Sequence, residues 1–218
     1  MKNDIFQLDS KSANVVSRSR VMEYSITGFR AIDYLFVCSF GQRELIIGDR
    51  QTGKSTLGYQ SAANQIFLNS ETWLKTVCSC IFSFVSQKTA TLVKILEFFS
   101  RNKLLKITSL IYSNISDQIC SQFLSPLVGA FLAEISRNTG LYNILIHDDL
   151  SKHAIAYRQL SLNLKKPVGR EAFPSDIFYA HARLLERSCA LNSTRTILKC
   201  LFSNLRDSGK RFKRIYSH

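Results

Sequence analysis

Apolar residues in this chain alternate between two textures. Four short runs rich in β-branched and aromatic residues read as strands: RELIIG (43–48), CSCIFSFVS (78–86), LKITSLIYS (105–113) and YNILIHDD (142–149). The first two read as buried strands. Elsewhere the apolar positions spread out to helical spacing. A helix begins near Gly53 and runs through STLGYQSAANQIF (55–67), and TATLVKILEFFSR (89–101) repeats Leu92, Ile95, Leu96 and Phe99 on one face. DQICSQFLSPLVGAFLAEISR (117–137) is helical, with Pro126 as a kink or break. SDIFYAHARLLERS (175–188) is a helix opened by Ser175 as its N-cap, and NSETW (69–73) reads as a surface loop. Strands alternating with helices predict an α/β domain: a mostly parallel sheet flanked by helices.

Ligands of such sheets bind beyond the carboxyl ends of the strands. Two polar features fall there. One is GDRQTGKST (48–56), directly after the first strand; the other is the pair of acids closing the fourth. The loop fits Gly, four residues, Gly, Lys, then Ser or Thr, the phosphate-binding loop pattern. Gly48 and Gly53 permit a tight turn whose backbone N–H groups point at phosphate oxygens, and the helix behind adds the positive end of its dipole. Asp49, Arg50, Gln51, Thr52 and Thr56 complete the loop that surrounds the phosphates. In this pattern Lys54 reaches the β- and γ-phosphates, and Ser55 offers its hydroxyl to Mg²⁺. An acid after a buried strand holds Mg²⁺, usually through water, which assigns Asp148 to the metal; Asp149 is a second candidate.

Composition adds limits. The 218 residues suffice for one globular domain, and a 45% hydrophobic content with three prolines fits a packed core rather than a disordered chain. The net charge of +13 points to an anionic partner: nucleotide, nucleic acid, phospholipid or an acidic subunit. No apolar run reaches the ~18 residues of a membrane span. Residues 1–20 are polar and read as a flexible N-terminal segment without a signal peptide's apolar core; Asp4 and Asp9 are out of character for a transit peptide. The six cysteines form no C-x-x-C pair and read as buried free thiols, suited to a reducing compartment. RNA-binding faces interleave aromatic with basic residues, whereas the aromatics here sit mostly in apolar runs and read as core, so direct nucleic-acid binding is not expected. The basic run 210–214 reads as part of a solvated tail.

Two long stretches, GQRELIIGDRQTGKST (41–56) and DDLSKHAIAYRQLSLNLKKPVGREAFPSDIFYAHARLLER (148–187), make the chain resemble the α subunits of F-type ATP synthases. ITGFRAID, FSFVSQKTATLV and FLSPLVGAFLAE link them, and the resemblance runs from about residue 15 to residue 193. It implies a P-loop NTPase (RecA-like) core, incomplete at its C-terminal side. The expected layout is a nucleotide-binding domain over 21–193 and a divergent basic tail over 194–218. In the catalytic subunits of this class a glutamate after the second strand positions the attacking water, while α-type subunits carry glutamine. Gln87 stands at that position, which implies a site that holds ATP or ADP with Mg²⁺ and does not turn it over.

The resemblance also implies partners and a place. These are the ATP synthase β subunits with the other head and stalk subunits, at the mitochondrial inner membrane and attached to it only through the complex. A plastid thylakoid membrane is the alternative location. The alternative functions are a stand-alone P-loop ATPase and a degenerate, non-functional fragment. The chain departs from the family at Tyr24, where a proline is usual, and in SQKTA (86–90), where the family's GQKRS carries one more basic residue.

Overall fold

The computed structural model describes residues 8–49, 51–70, 78–191 and 198–206. A short helix, α1 (Arg30–Leu35), precedes strand β1 (Arg43–Gly48) and helix α2 (Lys54–Ser70). Then come β2 (Cys78–Gln87), α3 (Thr89–Arg101), β3 (Thr108–Asn114), α4 (Ile119–Asn138) and β4 (Tyr142–Asp148). Helices α5 (Leu150–Asn163) and α6 (Ile177–Glu186) follow, with β5 (Leu198–Arg206) last. The five strands form one sheet in the order β1-β5-β4-β2-β3, and every pairing is parallel. This is the P-loop NTPase form of an α/β fold, as expected.

Helices cover both faces. On one, Ala62 of α2 and Ile95 and Phe99 of α3 pack on Cys78, Cys80, Phe82, Phe84, Ile144 and Ile146. Phe82 and Phe84 stack with centroids 5.9 Å apart, and Phe99 sits 4.9 Å from Phe82. A hydrogen bond with Cys78, and then burial, push the Cys80 thiol well above its ordinary pKa, so Cys80 remains a protonated core residue. On the other face, Ala130 and Ala133 of α4, Leu150 of α5 and Leu184 of α6 pack on Ile81 and Leu145. Helix α4 is long and apolar enough to span a membrane, but it lies on this sheet face, with Asn143 donating to the Ala133 carbonyl at 3.1 Å.

Several expectations need correction. RELIIG is not buried on both sides: β1 is an edge strand, and Leu45 and Ile47 are 45% and 49% exposed because no described helix covers that side. Helix α4 continues through Pro126, which is buried with its neighbour Ser125; Ser125 donates to the Phe84 carbonyl at 3.2 Å, so packing on the sheet overrides the lost N–H. The residue capping α6 is Asp176, not Ser175, and its carboxylate is engaged by the Tyr157 hydroxyl at 2.6 Å. Helix α5 was not foreseen, because after Leu150 its buried face is His153, Ala154, Ala156, Tyr157 and Ser161 rather than large aliphatics. Asn69 and Ser70 of the expected loop belong to α2, and the rest of that loop lies outside the described residues. The segment 194–218, read as a tail, contributes β5 to the sheet between β1 and β4. From Leu8 onward the N-terminal segment is held to the body: Ser10 donates to Glu134 at 2.8 Å and the Ser19 amide to the Ala190 carbonyl at 2.9 Å.

Three histidines are walled in between β4, α5 and α6. His153 Nδ1 lies 3.0 Å from His181 Nε2, so one ring donates and the other accepts. His153 Nε2 meets the Phe123 carbonyl at 3.1 Å, and neither ring nitrogen of His147 has a hydrogen-bond partner among the described residues. Beside them Arg187, 1% exposed, makes a two-pronged ion pair with Glu134 at 2.8 and 2.7 Å. Burial is the main cause that lowers His147 and His181 to about 3 and His153 to about 4; His153 and then Arg187 add to it at His147, and His153 and then His147 add to it at His181. An unfolded chain protonates them near 6.5, so the stability they allow is present above that pH and is lost as the pH falls from there toward their folded values. At pH 5 each histidine weakens the fold by about 2 kcal/mol. Urea midpoints are expected to drop sharply between pH 7.5 and pH 5, and equal midpoints at the two values would contradict neutral, buried rings.

Candidate phosphate-binding site

The loop between β1 and α2 is built around two glycines. Gly53 has φ +82, in the left-handed region that favours glycine, and a Cβ on Gly48 would stand 2.8 Å from Thr52 Oγ1. Thr52 Oγ1 donates to the Asp49 carbonyl at 2.9 Å, and Gln51, at φ 63, completes the reversal. The Leu57 amide donates to the Gly53 carbonyl at 3.0 Å, starting α2 directly behind the loop. Lys54 is buried, and its Nζ donates to the carbonyls of Gly48 and Asp49. The ammonium is thus folded across the concave side of its own loop, at the positive end of a long helix. A tight turn that needs glycine at Gly48 for space and at Gly53 for backbone angle, with a buried cation at its mouth, fits a phosphate group. Arg50 lies outside the described residues.

The acids divide their work. Asp148, the last residue of β4, is 2% exposed and accepts the Tyr59 hydroxyl on Oδ2 at 2.9 Å. Tyr59 is held by an aromatic box, with centroids 5.8 Å from Phe82 and Phe99 and 6.3 Å from Phe84 and Phe98. Asp149 faces away from this role: as the N-cap of α5 it accepts the Lys152 amide at 2.7 Å.

Gln87 ends β2 and is buried. Its Nε2 donates to the Asp148 carbonyl at 3.4 Å, and its own carbonyl accepts the Tyr112 hydroxyl at 3.0 Å. The backbone that aims it is irregular: the β2–β3 register shifts between Phe84 and Gln87, and Ser86 takes φ 51. A non-glycine residue there costs about 1–2 kcal/mol. Two bonds hold it, from the Ser86 amide to Ser113 Oγ at 3.1 Å and from Lys152 Nζ to the Ser86 carbonyl at 2.8 Å.

A cleft of about 340 Å³ opens between α2 and α3. Ser55, Thr56 and Asp148 share it with Tyr59, Thr91, Lys94, Ile95 and Phe98. Of the residues singled out in the sequence, the structure therefore gathers Ser55, Thr56 and Asp148 in one cleft. Gly48, Asp49, Gln51, Thr52, Gly53 and Lys54 form the loop at its end, and Gln87 stands behind Asp148 rather than in the cleft wall. The sequence reading missed Tyr59, Lys94 and Lys152. Their only signals were an aromatic residue on α2 just after the loop and lysines at ordinary surface spacing. Chemically, the cleft can hold an anion and a hydrated cation. Among the described residues lining it, Asp148 is the one carboxylate, and Gln87 behind it offers an amide, which does not accept a proton near neutral pH.

Comparison with known proteins agrees with this geometry. The ATP synthase subunit alpha of Wolbachia pipientis from Culex pipiens is 40% identical over 194 residues, covering 89% of this chain and 38% of that protein. The subunit alpha of Buchnera aphidicola from Baizongia pistaciae is 43% identical over 186 residues, 85% of this chain and 35% of that protein. The mitochondrial subunit alpha of Dictyostelium citrinum is 42% identical over 188 residues, 86% of this chain and 35% of that protein. The chain thus spans little more than a third of the length of these curated relatives. The family described as "ATP synthase alpha/beta family, nucleotide-binding domain" matches residues 28–205, a span that takes in all of β5 but its last residue. Loop, sheet and match together place the chain in the ATP synthase alpha/beta family, as its nucleotide-binding domain.

Proposed function

We propose that this chain binds Mg–ATP without hydrolysing it and serves as the nucleotide-binding domain of a non-catalytic α subunit in the head of an F-type ATP synthase. The observation that carries this reading is Gln87. It is buried at the end of β2 and bonded to the Asp148 backbone, so the position beside the cleft holds an amide in place of a base. In this reading the loop amides and Lys54 hold the phosphates, with Gly48, Asp49, Arg50, Gln51, Thr52, Gly53 and Thr56 shaping the cradle. Ser55 and Asp148 hold Mg²⁺, Asp148 through water, and Tyr59 orients its carboxylate. When bound, the ion neutralises charge on the phosphate oxygens. ADP fits the same contacts.

The relatives are alpha subunits of ATP synthases, which supports assembly of this chain with other subunits of such a complex; β subunits and the other head and stalk subunits are the partners in this reading. The Dictyostelium citrinum relative, a mitochondrial protein, supports a mitochondrial location; a place at the inner membrane, through the complex only, is part of the same proposal.

Phosphate binding then depends on Lys54. A charge-assisted hydrogen bond contributes about 1.5–3 kcal/mol, so Lys54→Ala is expected to weaken ATP binding roughly ten- to a hundredfold by calorimetry. Equal affinities for the two proteins would remove the assignment of the loop.

Restoring a carboxylate is expected to leave the site inactive. No arginine stands among the described residues lining the cleft, and such a group can contribute about 10³–10⁵ in rate. Gln87→Glu is therefore predicted to bind Mg–ATP much as the natural chain does and to hydrolyse it negligibly in a single-turnover assay. Turnover at ordinary enzyme rates, above about 1 s⁻¹, in either protein would favour a stand-alone ATPase.

A further inference from the structure

Lys94 is a cation for which the fold provides no partner. It lies on α3, on the face that lines the cleft with Thr91, Ile95 and Phe98, and it is exposed. Among the described residues it makes no hydrogen bond and no ion pair, although Glu97 stands one turn further along the same helix. Lys54 is different: its ammonium is buried on its own loop's carbonyls. Across the cleft from α3 are Ser55 and Thr56 of the first turn of α2, and the charged group at its end is Asp148. The cleft therefore begins where the loop ends and has an unpaired ammonium on its far wall. A phosphate chain held by the loop and by Lys54 would extend past Ser55 toward that space. Ile95 and Phe98 form the apolar part of the wall around the ammonium and offer it no acceptor themselves.

We propose that Lys94 is a second phosphate-binding cation of the site, one that reads the terminal phosphate and so makes the cleft prefer nucleoside triphosphates over diphosphates. This rests on the reading of the loop as a nucleotide site. It assigns to α3 a specificity role that the loop pattern does not include.

The test measures Mg–ATP and Mg–ADP affinities by calorimetry for the 218-residue chain and for Lys94→Gln, Lys94→Arg and Lys54→Ala. Lys94→Gln is expected to lower ATP affinity about three- to tenfold, the range for a partly solvated ion pair, and to change ADP affinity less than about twofold. Lys94→Arg is expected to restore the preference for ATP. Lys94→Met, which keeps the apolar stem, replaces the glutamine variant if circular dichroism shows that the latter is unfolded. Unchanged ATP affinity in the neutral variant overturns the proposal, as does an equal loss for ATP and ADP, which would mark Lys94 as a general surface charge. If Lys54→Ala loses binding while Lys94→Gln does not, the proposal falls and the nucleotide site stands. If the natural chain binds neither nucleotide, both fall.

Discussion

The hydrogen bond from Tyr59 to Asp148 joins the two parts of the site. Tyr59 belongs to α2, the helix that carries the phosphate-binding loop, and Asp148 ends β4 near the middle of the sheet. The ring is fixed by four phenylalanines from β2 and α3, so the core that holds the sheet together also sets where the loop helix stands relative to the acid. A partly buried aromatic of this kind still stabilises through the area it covers, on the order of 25 cal/mol per Å². Its hydroxyl needs a partner at the edge of that core, and the Asp148 carboxylate provides one.

Parallel pairing does the rest. Because every strand runs the same way, the ends of β1, β2 and β4 reach one edge of the sheet, and with them the loop, Gln87 and Asp148. The opposite face has a different task. There α4, α5 and α6 bury His147, His153, His181 and the Arg187–Glu134 pair, groups that are costly to desolvate and serve as packing for the layer behind the site. Asp149 connects the two sides, since it caps α5 one residue beyond the acid of the cleft.

Much of this was legible in the sequence because its signals are local. The strands over 78–87 and 142–148 are dense apolar runs, and GDRQTGKST carries its turn chemistry in its glycines and lysine. What was not legible depends on distant neighbours. The apolar triplet in β1 cannot reveal that its strand lies at an edge, where Leu45 and Ile47 meet no helix. Beyond Leu150, helix α5 hides its buried face in His, Ala, Tyr and Ser, residues that hydropathy does not separate from surface. The strand 198–206 lies among basic residues beyond the motifs that the sequence reading recognised, and its pairing with β1 and β4 defines it. Tyr59 and Lys94 are ordinary helical residues until the fold places one beside Asp148 and the other across the cleft.

The account's central claim is that the cleft holds a triphosphate intact beside Gln87. Phosphorus NMR of Mg–ATP in the presence of excess chain reads this directly. The account predicts a shifted γ-phosphate resonance that persists for hours, because binding groups are present and a base is not. Enzymes turn over at about 1 s⁻¹ or faster, so an active site would convert that resonance to inorganic phosphate within seconds. Conversion on that time scale, absent when Lys54 is replaced by alanine, would contradict it.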